Sequence, residues 1–267
     1  FYANDSAKED LIRQIQQACE QFGFFQLINH AIPTELQTAV LQHSSEFFNL
    51  PLETKEDTTK VTQRSLTPQI PKKELTYLNP KATGGFNRGY ERLRSQNFEK
   101  RTKGDLKEGF YLGKDLPLDD VYVVQRRFGQ GPNKYPSEVP DAEGFRRVMD
   151  EYHDAMIELA VAIMQVIART LGLDEDVFSN FCDHPVSILR RFIIRPKRLM
   201  CRVLREVSGN PAYDVNVNIK GERTKASLGI GAHTDFGAIT MLLQDDTGGL
   251  QVWNNLSSEW VDVTPVP

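Results

Sequence analysis

One helical period dominates this sequence. Val148, Met149, Tyr152, Met156, Leu159, Ala160, Ile163, Val166, Ile167 and Leu171 recur at helical spacing, and Gly172 follows where a left-handed residue ends a helix. An apolar stripe so long and broad cannot face water, so it predicts a spine laid against a sheet. Its Met and Tyr side chains are expected in the core rather than in a cofactor pocket. His153 lies one position off the stripe and is expected at the surface or boundary.

Two shorter helices are predicted before the spine. Asn4, Asp5 and Ser6 offer N-caps to a stripe of Leu11, Ile12, Ile15, Ala18, Cys19 and Phe22, with Gly23 as the stop. Leu36, Ala39, Val40 and Phe47 mark a second helix, opened at Ile32-Pro33 and closed by Pro51. His43 shares that stripe and reads as a hydrogen-bonded core histidine. Residues 24–28 read as a short buried strand between the two helices. Over residues 60–104, Lys, Arg, Thr, Pro and Gly dominate without a lasting period. That composition predicts a long solvated loop in which a strand or short helix can hide. After Asp183-His184-Pro185 the pattern becomes strand-like over residues 186–189, 238–243 and 250–253, with Gly248-Gly249 as the turn between the last two. Helices first and antiparallel strands second predict an α+β or jelly-roll architecture.

Composition narrows the function classes. A formal net charge of −4 gives no electrostatic reason for a nucleic-acid or membrane-surface partner. No apolar run reaches the ~18 residues a membrane span needs, and the N-terminus has no basic-then-apolar leader pattern. Cys19, Cys182 and Cys201 are an odd, widely spaced set. They argue against a disulfide framework or zinc ribbon and for a reducing, cytoplasmic setting. The chain opens on Phe1 rather than Met, so its true start is expected upstream.

The strongest local motif is Gly231-Ala232-His233-Thr234-Asp235-Phe236-Gly237. In an extended segment, residues i and i+2 point to one side. His233 and Asp235 can therefore bring an imidazole nitrogen and a carboxylate oxygen to one point. That supplies two ligands of the two-histidine, one-carboxylate triad of non-haem Fe(II) oxygenases, which leaves open positions for co-substrates.

The run from Gly229 through Asp246, with Gly248-Gly249-Leu250-Gln251-Val252, resembles the isopenicillin N synthase-like branch of the 2-oxoglutarate/Fe(II)-dependent dioxygenase superfamily. So do Ala18-Cys19-Glu20 with the stretch from Gly23 to Pro33, Phe47-Phe48-Asn49-Leu50-Pro51, Asn87-Arg88-Gly89-Tyr90-Glu91 and the stretch from Asp105 to Tyr111. The resemblance implies a distorted double-stranded β-helix (jelly roll), here partial, with N-terminal helices packed against it. It also implies Fe(II), with 2-oxoglutarate and O2 as co-substrates, and oxidation of a small organic molecule by hydroxylation, desaturation or ring closure. His233 and Asp235 are then the metal ligands, and His30 is a structural residue near a turn. A monomer is expected, with no nucleic acid or membrane partner. The organisation implied is an N-terminal dioxygenase region over 1–120, the helical spine over 121–185 and a partial oxygenase domain over 186–267.

Two departures accompany the resemblance. The family's distal histidine and its Arg-x-Ser follow the aspartate, yet no His or Arg follows Asp235 here. Residues 190–228 read as an atypical insertion, opening with the basic block Arg190-Arg191-Phe192-Ile193-Ile194-Arg195-Pro196-Lys197-Arg198. That block lacks the interleaved aromatics of a nucleic-acid surface. The expectation is an oxygenase that is inactive as this chain stands. The alternatives are a non-catalytic remnant of the fold, or an oxidase that, like isopenicillin N synthase, needs no keto acid.

Overall fold

The computed structural model describes residues 5–60, 86, 88–98, 104–125, 127–194, 229–235, 237–254 and 256–266. Six helices and five strands occur among them: α1 Asp5–Gln21, α2 Thr34–Phe48, α3 Leu52–Lys60, β1 Gly89–Glu91, β2 Lys107–Gly113, α4 Val121–Val124, α5 Ala142–Thr170, α6 Ser179–Cys182, β3 Ile188–Ile194, β4 Gln251–Asn254 and β5 Glu259–Asp262. They fall into two compact units. One comprises Phe1–Gln42, Arg147–Pro185 and Phe236–Pro267, the other His43–Arg146 and Val186–Asp235.

In the first unit, Ile12 and Ile15 of α1 bury against Val166 of α5, with Leu11 packed beside them. Helix α1 ends as its sequence predicts. Phe22 and Gly23 both donate to the Ala18 carbonyl, and Gly23 takes a φ of 70°. Helix α5 begins before its apolar stripe because the Asp141 side chain accepts the Gly144 N–H at 2.9 Å and caps the first turn. Strands β4 and β5 pair antiparallel, with Trp253 opposite Trp260 in edge-to-face contact at 5.4 Å.

Three expectations fail in this unit. Residues 24–28 form no strand, and Phe24 and Ile28 are 57% and 61% exposed. An apolar run becomes a strand only where a neighbour meets its backbone. Here the interaction recorded is a side-chain one, Gln26 Nε2 donating to the Thr264 carbonyl at 2.8 Å. Residues 238–243 likewise show no strand, although Gly248 and Gly249 both adopt positive φ beyond them. His153, expected near the surface, is 5% exposed, because Met149, Tyr152 and His153 are all buried and the covered face of α5 is wider than its apolar stripe.

The second unit is built around β2, which lies between β1 and β3 in an antiparallel sheet. All seven β2 residues are buried. Glu108, Phe110 and Leu112 alternate with Lys107, Gly109, Tyr111 and Gly113, so the two sets face opposite sides. On the first side, Phe110 meets Phe47 of α2 at 4.5 Å and Phe145 of α5 at 5.9 Å, and Tyr90 and His43 complete the aromatic cluster. His43 is thus the core histidine the sequence predicts. Its Nδ1 lies 3.2 Å from Glu46.

Beside that cluster is a buried ion pair. Lys55 Nζ reaches Glu108 at 2.7 Å and the Phe48 carbonyl at 3.1 Å, while the Tyr90 hydroxyl donates to the same Glu108 oxygen at 2.6 Å. Lys55 belongs to α3, a helix that the reading of Pro51 as a stop leaves out. Pro51 starts it instead, its carbonyl accepting the Lys55 N–H. Strand β1 is the strand hidden in the 60–104 stretch; residues 61–85, 87 and 99–103 of that stretch lie outside the described residues. Strand β3 starts two residues later than its apolar run predicts and continues through Ile194. It takes the first five residues of the 190–228 segment into the sheet, and the rest of that segment lies outside the described residues. Gly113 is required by a close approach: a Cβ there would sit 2.0 Å from the buried Arg88 guanidinium.

The buried polar groups have two measurable consequences. Glu108→Ala leaves the Lys55 ammonium buried without its carboxylate and lowers stability by about 3–5 kcal/mol, read as a reduced urea midpoint; a loss under about 1 kcal/mol contradicts the pairing. Burial, reinforced by Glu91, pushes the Tyr111 phenol well above its ordinary value of 10.0. A pKa raised in the folded state contributes stability below the unfolded value and loses it as pH rises. Stability should therefore fall as pH climbs past about 10, and Tyr111→Phe should flatten that fall. An unchanged slope in the variant contradicts the assignment.

Candidate functional site

The second face of β2 carries the site. Register places Glu91 opposite Gly109 and Arg190 opposite Tyr111, so β1, β2 and β3 present Glu91, Lys107, Tyr111 and Arg190 on one side. The Tyr111 hydroxyl donates to Glu91 at 2.5 Å, and Gln96 Nε2 bonds both residues at 3.1 and 3.2 Å. The Arg190 guanidinium lies 5.6 Å over the Tyr111 ring. Burial lowers the Lys107 pKa, opposed by the nearby carboxylates of Glu91, Asp105 and Asp235.

Residues 229–235 meet this face without joining a strand. His233 and Asp235 nevertheless converge as their spacing predicts, with Nε2 and Oδ1 3.4 Å apart. Side chains hold the segment in place of a ladder. Gly231 N–H donates to Asp105 Oδ1 at 3.1 Å, and His233 Nδ1 lies 2.8 Å from the Gly231 carbonyl. The Phe98 ring stacks on the His233 imidazole at 4.4 Å and 14°, and Lys107 Nζ sits 4.7 Å from the Phe98 centroid.

A carbonyl can only accept, so in the contact between Gly231 and His233 the imidazole Nδ1 is the donor. Nε2 then faces Asp235 Oδ1 at 3.4 Å, where one cation, a proton or a metal, can be shared between them. Adjacent ligand atoms at metal distances of about 2.1 Å lie about 3 Å apart, so the pair fits a shared metal with little adjustment. The hard carboxylate and borderline imidazole suit Fe(II). No group of three or more His, Cys, Asp or Glu side chains able to hold a metal occurs among the described residues. The other histidines have local neighbours: the Ile32 N–H for His30, Glu46 for His43, Asp154 for His153 and Asp183 for His184. His30 sits between Asn29 and Ala31, both at positive φ, in the turn where a structural histidine is expected.

Sequence reasoning misses Asp105, Phe98 and the Glu91–Gln96–Tyr111 network. The first and last carry a readable signal, since Asp105, Lys107 and Tyr111 sit two apart or multiples of two. Phe98 carries none, because no local pattern links it to His233.

The chain resembles known proteins along its whole length. Residues 1–138 match the family described as non-haem dioxygenase in morphine synthesis N-terminal, and residues 200–267 match the 2OG-Fe(II) oxygenase superfamily. The 2-oxoglutarate-Fe(II) type oxidoreductase hxnY of Emericella nidulans is 39% identical over all of this chain and 64% of its own length. The 2-oxoglutarate-dependent dioxygenase citB of Monascus ruber is 36% identical over 98% of this chain and 67% of its own length. Clavatol oxidase claD of Penicillium crustosum is 33% identical over 97% and 68%. The chain thus spans about two thirds of the length of these relatives. Among solved structures, a full-length Neurospora crassa protein in complex with alpha-KG superposes with a TM-score of 0.66 at 25% identity, over 99% of this chain and 67% of that one. A 2OG-Fe(II) oxygenase family protein from Caulobacter crescentus shares the fold at a TM-score of 0.67 and 21% identity, over 98% and 68%. No described helix is long and apolar enough to cross a membrane. The chain belongs to the 2-oxoglutarate- and Fe(II)-dependent oxygenase superfamily.

Proposed function

We propose that His233 and Asp235 are two of the three protein ligands to Fe(II), that 2-oxoglutarate and O2 are co-substrates, and that the protein oxidises a small organic molecule by hydroxylation, desaturation or ring closure. The observation that carries this is the facing of His233 Nε2 and Asp235 Oδ1 at 3.4 Å while Nδ1 is committed to the Gly231 carbonyl. Bound Fe(II) supplies the activation of O2 that organic side chains cannot provide. This chain's own residues hold and shield the pair. The Gly231 carbonyl keeps the proton on Nδ1, so Nε2 stays available as a ligand. Phe98 covers one face of the imidazole and keeps water from it, and Lys107 places positive charge near the Asp235 carboxylate. We place His233 and Asp235 in a jelly-roll domain covering 186–267, which follows an N-terminal region over 1–120 and the 121–185 spine in the chain, in a cytoplasmic monomer. The fold of the relatives and the antiparallel pairing of β4 with β5 support the jelly-roll part of that reading.

Fe(II) retention after equilibrium dialysis tests this reading. His233→Ala and Asp235→Ala should each weaken Fe(II) retention more than about tenfold. Equal retention in the variants contradicts the metal assignment.

A further inference from the structure

Asp105 occupies an expensive position. It is 1% exposed, Oδ1 accepts the Gly231 N–H at 3.1 Å, and Oδ2 is buried with no hydrogen-bond partner among the described residues. A buried carboxylate left half satisfied is normally selected against, so its retention calls for a physical reason. One reason is charge balance for nearby Lys107, whose pKa Asp105 raises. The other runs through Gly231. Lacking a Cβ, Gly231 is freer to rotate than the four residues that follow it in the 229–235 segment, and no strand ladder restrains it. The Asp105 bond fixes the peptide plane on its N–H side. The bond from His233 Nδ1–H to its carbonyl fixes the plane on the other side. Asp105 itself is rigid: it sits two residues ahead of β2, and its own N–H donates to the Gln96 carbonyl at 2.9 Å.

We propose that Asp105 is a positioning residue for His233, acting through both peptide planes of Gly231 to aim Nε2 toward Asp235. The relay is a property of the protein without metal. Its consequence for metal affinity rests on the Fe(II) reading above.

The test compares wild type, Asp105→Asn and Asp105→Ala by amide hydrogen exchange at Gly231 and by nuclear Overhauser contacts between the His233 and Phe98 rings, which stack at 4.4 Å. Asparagine keeps an acceptor oxygen for Gly231 N–H but removes the charge facing Lys107. Wild type and Asp105→Asn should both keep Gly231 protected and the two rings in contact, and Asp105→Ala should speed Gly231 exchange at least about tenfold and lose the ring contacts. If Asp105→Ala leaves both unchanged, or if Asp105→Asn behaves like Asp105→Ala, charge balance is the role and the relay is wrong. If Asp105→Ala does not fold, amide exchange in wild type decides. Gly231 should exchange at least about tenfold more slowly than Ala232 and Thr234, and equal rates overturn the proposal. Co(II) affinity forms a separate arm, with Asp105→Ala weakened about 10–100-fold and Asp105→Asn close to wild type. Co(II) binding that ignores His233→Ala, alongside the expected loss of ring contacts, overturns the Fe(II) reading and leaves the relay standing.

Discussion

Strand β2 is buried along its whole length, so every polar group on it must find its partner inside the protein. That constraint organises the rest of its unit. On one face Glu108 is neutralised by Lys55 and Tyr90, which fixes α3 and β1 against the aromatic cluster of Phe47, Phe110 and Phe145. On the other face Lys107 and Tyr111 draw in Glu91, Arg190 and the carboxylates near the metal motif. Breaking a buried pair strands the remaining charge, which costs more than the pair itself contributes. The two faces are therefore locked to their registers more tightly than an apolar strand would be.

The site inherits its geometry from this strand rather than from a ladder of its own. His233 and Asp235 lie on an irregular segment, and a sequence spacing of two brings them together while Asp105 holds Gly231 and Phe98 stacks on the imidazole. Irregular backbone is tolerated beside a buried sheet when side chains satisfy its N–H and C=O groups, as Asp105 and His233 do for Gly231. The same two bonds set the direction of the imidazole, so the backbone and the site geometry meet at one residue.

Much of the helical part was legible from periodicity, because Ile12, Ile15 and Val166 bury at the spacing their stripes require. The motif was legible for a similar reason, since period two says which side chains can converge. Strand β2 was hidden because Lys107 and Glu108 interrupt its apolar pattern, and only long-range partners such as Lys55 make them burial-competent. Residues 24–28 were misread in the opposite sense, since an apolar run says nothing of whether a backbone neighbour exists. The packing of Phe98 on His233 joins residues far apart in the chain, and no local rule anticipates such a contact.

The central claim is that His233 and Asp235 share one cation. Titrating the protein with Mn(II) while following the imidazole resonances of its five histidines tests it most directly. The account predicts that His233 broadens first, at Mn(II) levels that leave His30, His43, His153 and His184 sharp, and that Asp235→Ala abolishes this order. Uniform broadening, or broadening led by the exposed His184 beside Asp183, would contradict it.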